Sequence, residues 1–277
     1  MKWMDGSTTR ERSFGGYVLL AVLLFGHAML KADVVLDWNV IAVNTAIENK
    51  QGPQAQARYG AIVQVAVFEA VDAITREYRP YLGTIVSPPG ASPEAAAIQA
   101  AYRVLVTYFP ASQQALDTER ANSLAHISDG QAKDDGIATG DAAAYAMIAL
   151  RANDGSSPPE FKIPGPPIPG EWQPTPSCPI VNEIPVGTFF HWQKVTPFGI
   201  ARASEFLLDP PPALPRNEYA KTYNEVMSVG SDESLNRPPD RSDVARFYAA
   251  SSPTLVFNQA AQQVALERAR TLTENAR

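Results

Sequence analysis

The chain has 277 residues, 45% hydrophobic and 19% charged, with a formal net charge of −6. That length suits one large domain or two small ones and is ample for a buried core. The acidic balance, with no Lys/Arg cluster to offset it, argues against nucleic acid as a partner, because phosphate counterions are displaced by a basic face.

The N-terminus carries Lys2, Arg10 and Arg12, then the apolar run Tyr17 to Phe25, then Gly26-His27-Ala28. Basic, apolar and small-residue stretches in that order mark residues 1–28 as a secretory signal peptide cut after Ala28. A membrane anchor needs about 20 apolar residues, and Gly15 to Leu30 falls short with His27 inside it. The expectation is an exported protein, periplasmic or extracellular, with no membrane span after signal removal.

Residues 33–152 read as an N-terminal helical bundle. Asp37 is expected to open a first helix through "WNVIAVNTAIEN", stopped by Gly52-Pro53. The second, "QAQARYGAIVQVAVFEAVDAITREY", is apolar nearly all round, with Val63, Val67, Val71 and Ile74 on one stripe, and so belongs in the middle of a bundle. Ser92 caps the third, Pro93 fits its first turn and Pro110 ends it. A fourth runs from Ser112 to His126. The fifth begins after Asp129 and ends at Gly155, and its Ala/Gly content permits close approach of a neighbouring helix.

Residues 153–215 change character: more than half of the 24 prolines fall here. Proline lacks the amide proton that helices and sheets need, so the segment is loop or extended chain. Trp172, Phe189, Phe190, Trp192, Phe198 and Phe206 are interleaved with the prolines, and the expectation is a segment that wraps across the helices and buries those rings. Helices resume over 216–277, at "NEYAKTYNEVMSVG", at "SDVARFYAAS", after Ser252-Pro253, and in the closing "TLTENAR", where Thr273 before Glu274 resembles a cap.

Few residues offer chemistry. Cys178 is alone, which excludes an intrachain disulfide and a Cys-based zinc site, and its proline neighbours mark it as a loop thiol. Glu69 and Asp72 share a face of the second helix and could act as acid and base or bind a metal. No Glu-x-x-His pair accompanies them, and Arg76 is placed to neutralise Asp72, so a partly buried ion-pair set is expected instead. His27 leaves with the signal, His126 sits near a helix C-terminus, and His191 lies in "FFHWQKVTPF", read as an aromatic packing strand. There is no Gly-x-Ser-x-Gly elbow, phosphate loop or dinucleotide fingerprint.

A set of stretches in fixed order carries a likeness: "ADVVLDWNVIAVNTAI", "ARYGAIVQVAVFEAVDAITREYRPYL", "SPEAAAIQAAYRVLVTYFP", "DGQAKDDGIATGDAAAYAMIALRANDGS", "PGEWQPTP", "VTPFGI", "YNEVMSVGS", "DVARFYA" and "LTENAR". Together, from Ala32 to Arg277, they resemble the N-terminal half of bacterial vanadium-dependent haloperoxidase-like proteins of the type 2 phosphatidic-acid phosphatase (PAP2) superfamily. The resemblance implies an all-α fold, a helical bundle with a long Pro/aromatic-rich connecting segment, here an incomplete two-bundle haloperoxidase-like fold in which 216–277 open a truncated C-terminal bundle. In that family vanadate, or phosphate, is held by Lys-x6-Arg-Pro, Pro-Ser-Gly-His and Ser-Arg-x5-His segments, where cations and donors cradle a tetrahedral oxyanion.

None of the three segments is present here. The residues seven before Arg79-Pro80 and Arg237-Pro238 are Asp72 and Gly230, not Lys. Arg120-x5-His126 lacks the leading Ser, and residues six apart on a helix point roughly 240° apart. No catalytic, cofactor-binding or metal residue is therefore assigned to this chain, and no cofactor, vanadate being implied only for complete family members. The expected role is the non-catalytic N-terminal portion of such a protein, inactive alone. Its partner would be the missing catalytic half, in cis or as a separate chain, with a second copy of this chain the other one open to it. The alternative is an exported helical scaffold or binding module that contacts a partner through its aromatic-proline stretch.

Overall fold

The computed structural model describes residues 33–277, and the expected signal segment 1–28 lies outside them. The described residues are mostly helical. In chain order the helices are α1 (Val34–Glu48), α2 (Pro53–Thr75), α3 (Pro93–Tyr108), α4 (Gln113–Leu124), α5 (Gln131–Arg151), α6 (Asn217–Gly230), α7 (Pro239–Ala250), α8 (Pro253–Glu267) and α9 (Leu272–Ala276).

Several ends follow the capping rules. Ser92 Oγ accepts from the N–H of Ala95, with Pro93 in the first turn. Ser252 repeats the arrangement for α8, accepting from Leu255. Other ends depart from expectation. α1 starts at Val34, not Asp37, because the Asp33 carboxylate accepts from the N–H groups of Val35 and Leu36; Asp37 lies inside the first turn. α5 ends at Arg151, and Gly155 stands four residues beyond it at φ +89°, where a Cβ would come within 2.8 Å of the Lys194 carbonyl oxygen.

Helices α1, α2, α3 and α5 share one core, with α4 laid along α3. Trp38 of α1, Ile62, Val63, Val67 and Val71 of α2, Ile98 and Leu105 of α3 and Met147 of α5 are fully buried in it. The closest approach is α3 on α5. A Cβ built at Gly136 would lie 2.4 Å from the Ser92 carbonyl oxygen, and one at Gly140 equally close to that of Ala96, so only glycine lets the backbones meet. The small-residue content of the fifth helix serves the close approach expected of it.

The final helix is the surprise of the fold. Its cap is Thr271, not Thr273: Thr271 Oγ1 accepts from the Glu274 N–H while the Glu274 carboxylate accepts from that of Thr271. Five residues alone cannot sustain a helix. Tertiary bonds hold this one: Gln64 of α2 donates to the carbonyls of Asn275 and Ala276, Asn275 donates to Asp33, and Thr273 donates to Glu77. Ala276 is buried.

Between α5 and α6 the chain is irregular. It contains a two-residue hairpin, β1 (Ile180–Val181) with β2 (Ile184–Pro185), joined by Asn182 and Glu183, both at positive φ, as a tight hairpin turn requires. The wrapping segment buries fewer rings than expected. Phe198 packs against the helical core, whereas Phe190 stays exposed and Phe206 is 70% exposed on a single 3₁₀ turn (Ala203–Phe206).

Candidate functional site

The two carboxylates singled out on α2 lie together, Glu69 and Asp72 both buried, at the wall of a cavity of about 210 Å³ lined also by Tyr78, Ile85 and Ser87. Their bonds run to backbone. Glu69 accepts from the N–H of Tyr81 and, at 3.3 Å, from that of Gly83; Asp72 accepts from the N–H of Tyr78 at 2.8 Å. The expected Asp72–Arg76 pair does not form. Arg76 is the residue at which α2 ends, in the left-handed region at φ 55°, so its side chain leaves the helical face that a four-residue spacing presumes. The two acids act as anchors for the turn over 78–83.

A second cluster was not foreseen. Asp154 Oδ2 accepts from Arg58 Nε of α2 at 2.8 Å and from Arg151 Nε of α5 at 3.0 Å, all three side chains being buried. Arg58 also donates to the Arg151 carbonyl, and Arg151 donates to the carbonyls of Thr196 and Pro197 while its guanidinium stacks 3.9 Å over the Phe198 ring. The Thr196 N–H returns a bond to the Asp154 carbonyl at 2.8 Å. Burial pushes the Asp154 carboxyl up, but bonds from Arg58 and Ser156 outweigh it and hold the group at about 2. The sequence signals, an arginine in an apolar helix and an Arg-x-x-Asp spacing, were present but unassigned.

His126 is exposed just beyond α4. His191 is buried within a 3₁₀ turn (Phe190–Lys194) and not in a strand, because Phe189 before it adopts a left-handed conformation that breaks any extended run. Cys178 is a free, half-buried thiol in the irregular segment. Among the described residues no three His, Cys, Asp or Glu side chains stand together as a metal cage.

The arginines of the partial oxyanion-segment matches stand in separate surroundings. The Arg237 guanidinium is spent on the carbonyls of Val229, Ser231 and Asp232 and on Ser242 Oγ, and Arg120 donates to Gln99. Arg79 lines a different hollow, beside Tyr81 and Arg277. These cations converge on no common point, so no step through vanadate or phosphate is derived for the chain. A groove of about 810 Å³ lies between α1, α8 and α9, lined by Asn39, Gln64, Asn258, Gln262 and Arg270 among others.

No protein-family profile matches the chain, and neither does any curated protein or solved structure. Among the described residues no helix is long and apolar enough to cross a membrane.

Proposed function

We propose that this chain is the exported, non-catalytic N-terminal portion of a vanadium-dependent haloperoxidase-like protein of the PAP2 superfamily. In this reading α1–α5 form the first bundle, and α6–α9 open a second bundle whose remaining helices, in cis or on a separate chain, bring the oxyanion-binding segments. The ordered stretches that resemble that family motivate it. One observation carries it: α6, α7 and α8 bury no residue, yet they hold Tyr223, Val226 and Met227, then Val244, Phe247 and Tyr248, then Phe257 and Val264 exposed. Apolar side chains at spacings of three and four make a stripe that in a finished protein faces another helix.

The test compares the chain alone with the chain joined to, or mixed with, a helical portion carrying the three oxyanion segments. Vanadate binding and halide oxidation are expected only in the second case. Turnover by the purified chain alone, or no gain on combination together with no complex formed, overturns the reading. The intact mass made by the native host distinguishes a partner in cis from one in trans.

A second reading, an exported helical scaffold, is favoured by Phe206, Leu207 and Leu208. These three stand 70%, 77% and 93% exposed next to three prolines in the connecting segment, a contact surface without a covering group. Substituting them should abolish partner capture if that reading holds and leave it unchanged if α6–α8 provide the interface.

A further inference from the structure

The irregular segment after α5 is fastened at several points, among them paired backbone bonds between Lys162 and Gly187 at 2.9 Å. Its base is the Asp154 cluster, with the Asp154 carbonyl bonded to the Thr196 N–H. Above that, Glu160 is gripped three times. Its N–H donates to His191 Nδ1 at 3.1 Å, its carbonyl accepts from the Phe190 N–H at 3.2 Å, and its carboxylate accepts from Lys194 at 2.7 and 2.8 Å. His191 is only 5% exposed. A ring nitrogen that accepts carries no proton, so this arrangement requires the neutral imidazole with its hydrogen on Nε2. A proton on Nδ1 would set two donors face to face in a buried place, which costs the bond and leaves the Glu160 N–H without its acceptor.

We propose that His191 is a pH-sensitive clasp on Glu160: the neutral ring pins the Glu160 amide, and protonation releases it, while the paired backbone bonds between Lys162 and Gly187 keep the rest of the segment in place. The charged groups bonded to Glu160 or stacked beside it favour release over capture of an imidazolium. The Glu160 carboxylate would attract it but is already held by Lys194, and Lys162 lies 5.8 Å over the neighbouring Phe190 ring. Because the bond to Glu160 requires a neutral ring, the released form binds more protons, and the bond weakens as pH falls.

Amide hydrogen exchange on the full chain tests this at about pH 7.5 and about pH 5.5, with rates corrected for intrinsic chemistry. Protection of the Glu160 amide is expected to fall several-fold at the lower pH. The Thr196 amide should keep its protection, since the Asp154 carboxyl, at about 2, stays ionised throughout. His191→Asn puts a carbonyl acceptor where Nδ1 stood and cannot titrate, so it should keep Glu160 protected at both pH values. Glu160→Gln removes the Lys194 ion pair but not the backbone bond, and should respond to acid as the native chain does. Equal protection of the native chain at both pH values overturns the proposal. So does an acid response in His191→Asn, or its disappearance in Glu160→Gln.

Discussion

Asp154 Oδ2 lies 2.8 Å from Arg58 Nε, and that contact ties the second turn of α2 to the first residues of the irregular segment. Neutralising the anion leaves two buried guanidinium groups with no counter-charge. Asp154→Asn is therefore expected to cost about 3–5 kcal/mol, measured by urea unfolding. Glu160→Gln, which breaks an exposed pair with Lys194, should cost about 0–1 kcal/mol in the same assay.

The same carboxyl sets an acid limit. Its folded-state value of about 2 is below the ordinary 3.8, so the unfolded chain binds the proton more readily. The stability Asp154 contributes is present above about pH 4 and lost as pH falls toward 2. Unfolding midpoints followed across that interval should drop more steeply in the native chain than in Asp154→Asn.

Glycines in two helices give a paired test. Gly140→Ala drives a methyl to 2.4 Å from the Ala96 carbonyl oxygen and should destabilise by at least about 1–3 kcal/mol as α3 and α5 are forced apart. Gly60→Ala on α2 meets nothing within 4 Å and should stabilise by up to about 1 kcal/mol through helix propensity. Thermal unfolding of both variants checks the contrast; equal effects would mean the α3–α5 approach is not as close as described.

Glu69→Gln removes a charged acceptor from the Tyr81 and Gly83 amides. A loss of about 1–3 kcal/mol is expected, the usual worth of a hydrogen bond to a charged group. Hydrogen exchange should show the turn over 78–83 loosening first, with the α3–α5 contact unaffected.

How much of this was readable beforehand depends on the range of the interaction. Ser92-Pro93 and Ser252-Pro253 announce their helices because cap and first turn are adjacent in sequence. The α2 stripe was equally plain, since Val63, Val67 and Val71 recur at helical spacing and are buried. Asp72 with Arg76 was misread for a local reason: the spacing rule holds only while the helix continues, and it ends at Arg76. Arg58 with Asp154 was missed for a global one, because only the finished packing brings α2 beside the end of α5. The α9 cap was misplaced by two residues because Thr271 and Thr273 both offer a hydroxyl, and the choice is made by Thr273 turning inward to Glu77.

The stripe on α6 yields a surface prediction. Replacing Tyr223, Val226 and Met227 by serine removes exposed apolar area without emptying any core site, so stability should change by less than about 0.5 kcal/mol per residue. Binding of a hydrophobic dye should fall. A large loss of stability would mean that the stripe is already covered within the chain.

The bond between the Asp154 carbonyl and the Thr196 N–H makes the base of the irregular segment independent of what lies between. Cutting the chain near the hairpin turn at Asn182 and Glu183 would leave both new ends attached to the same folded body. Adding residues there would cost little, because the entropy of closing a loop grows only with the logarithm of its length, about 0.6 kcal/mol for each doubling. The segment is thus the part of the molecule whose length can drift most freely while the helices beneath keep their places.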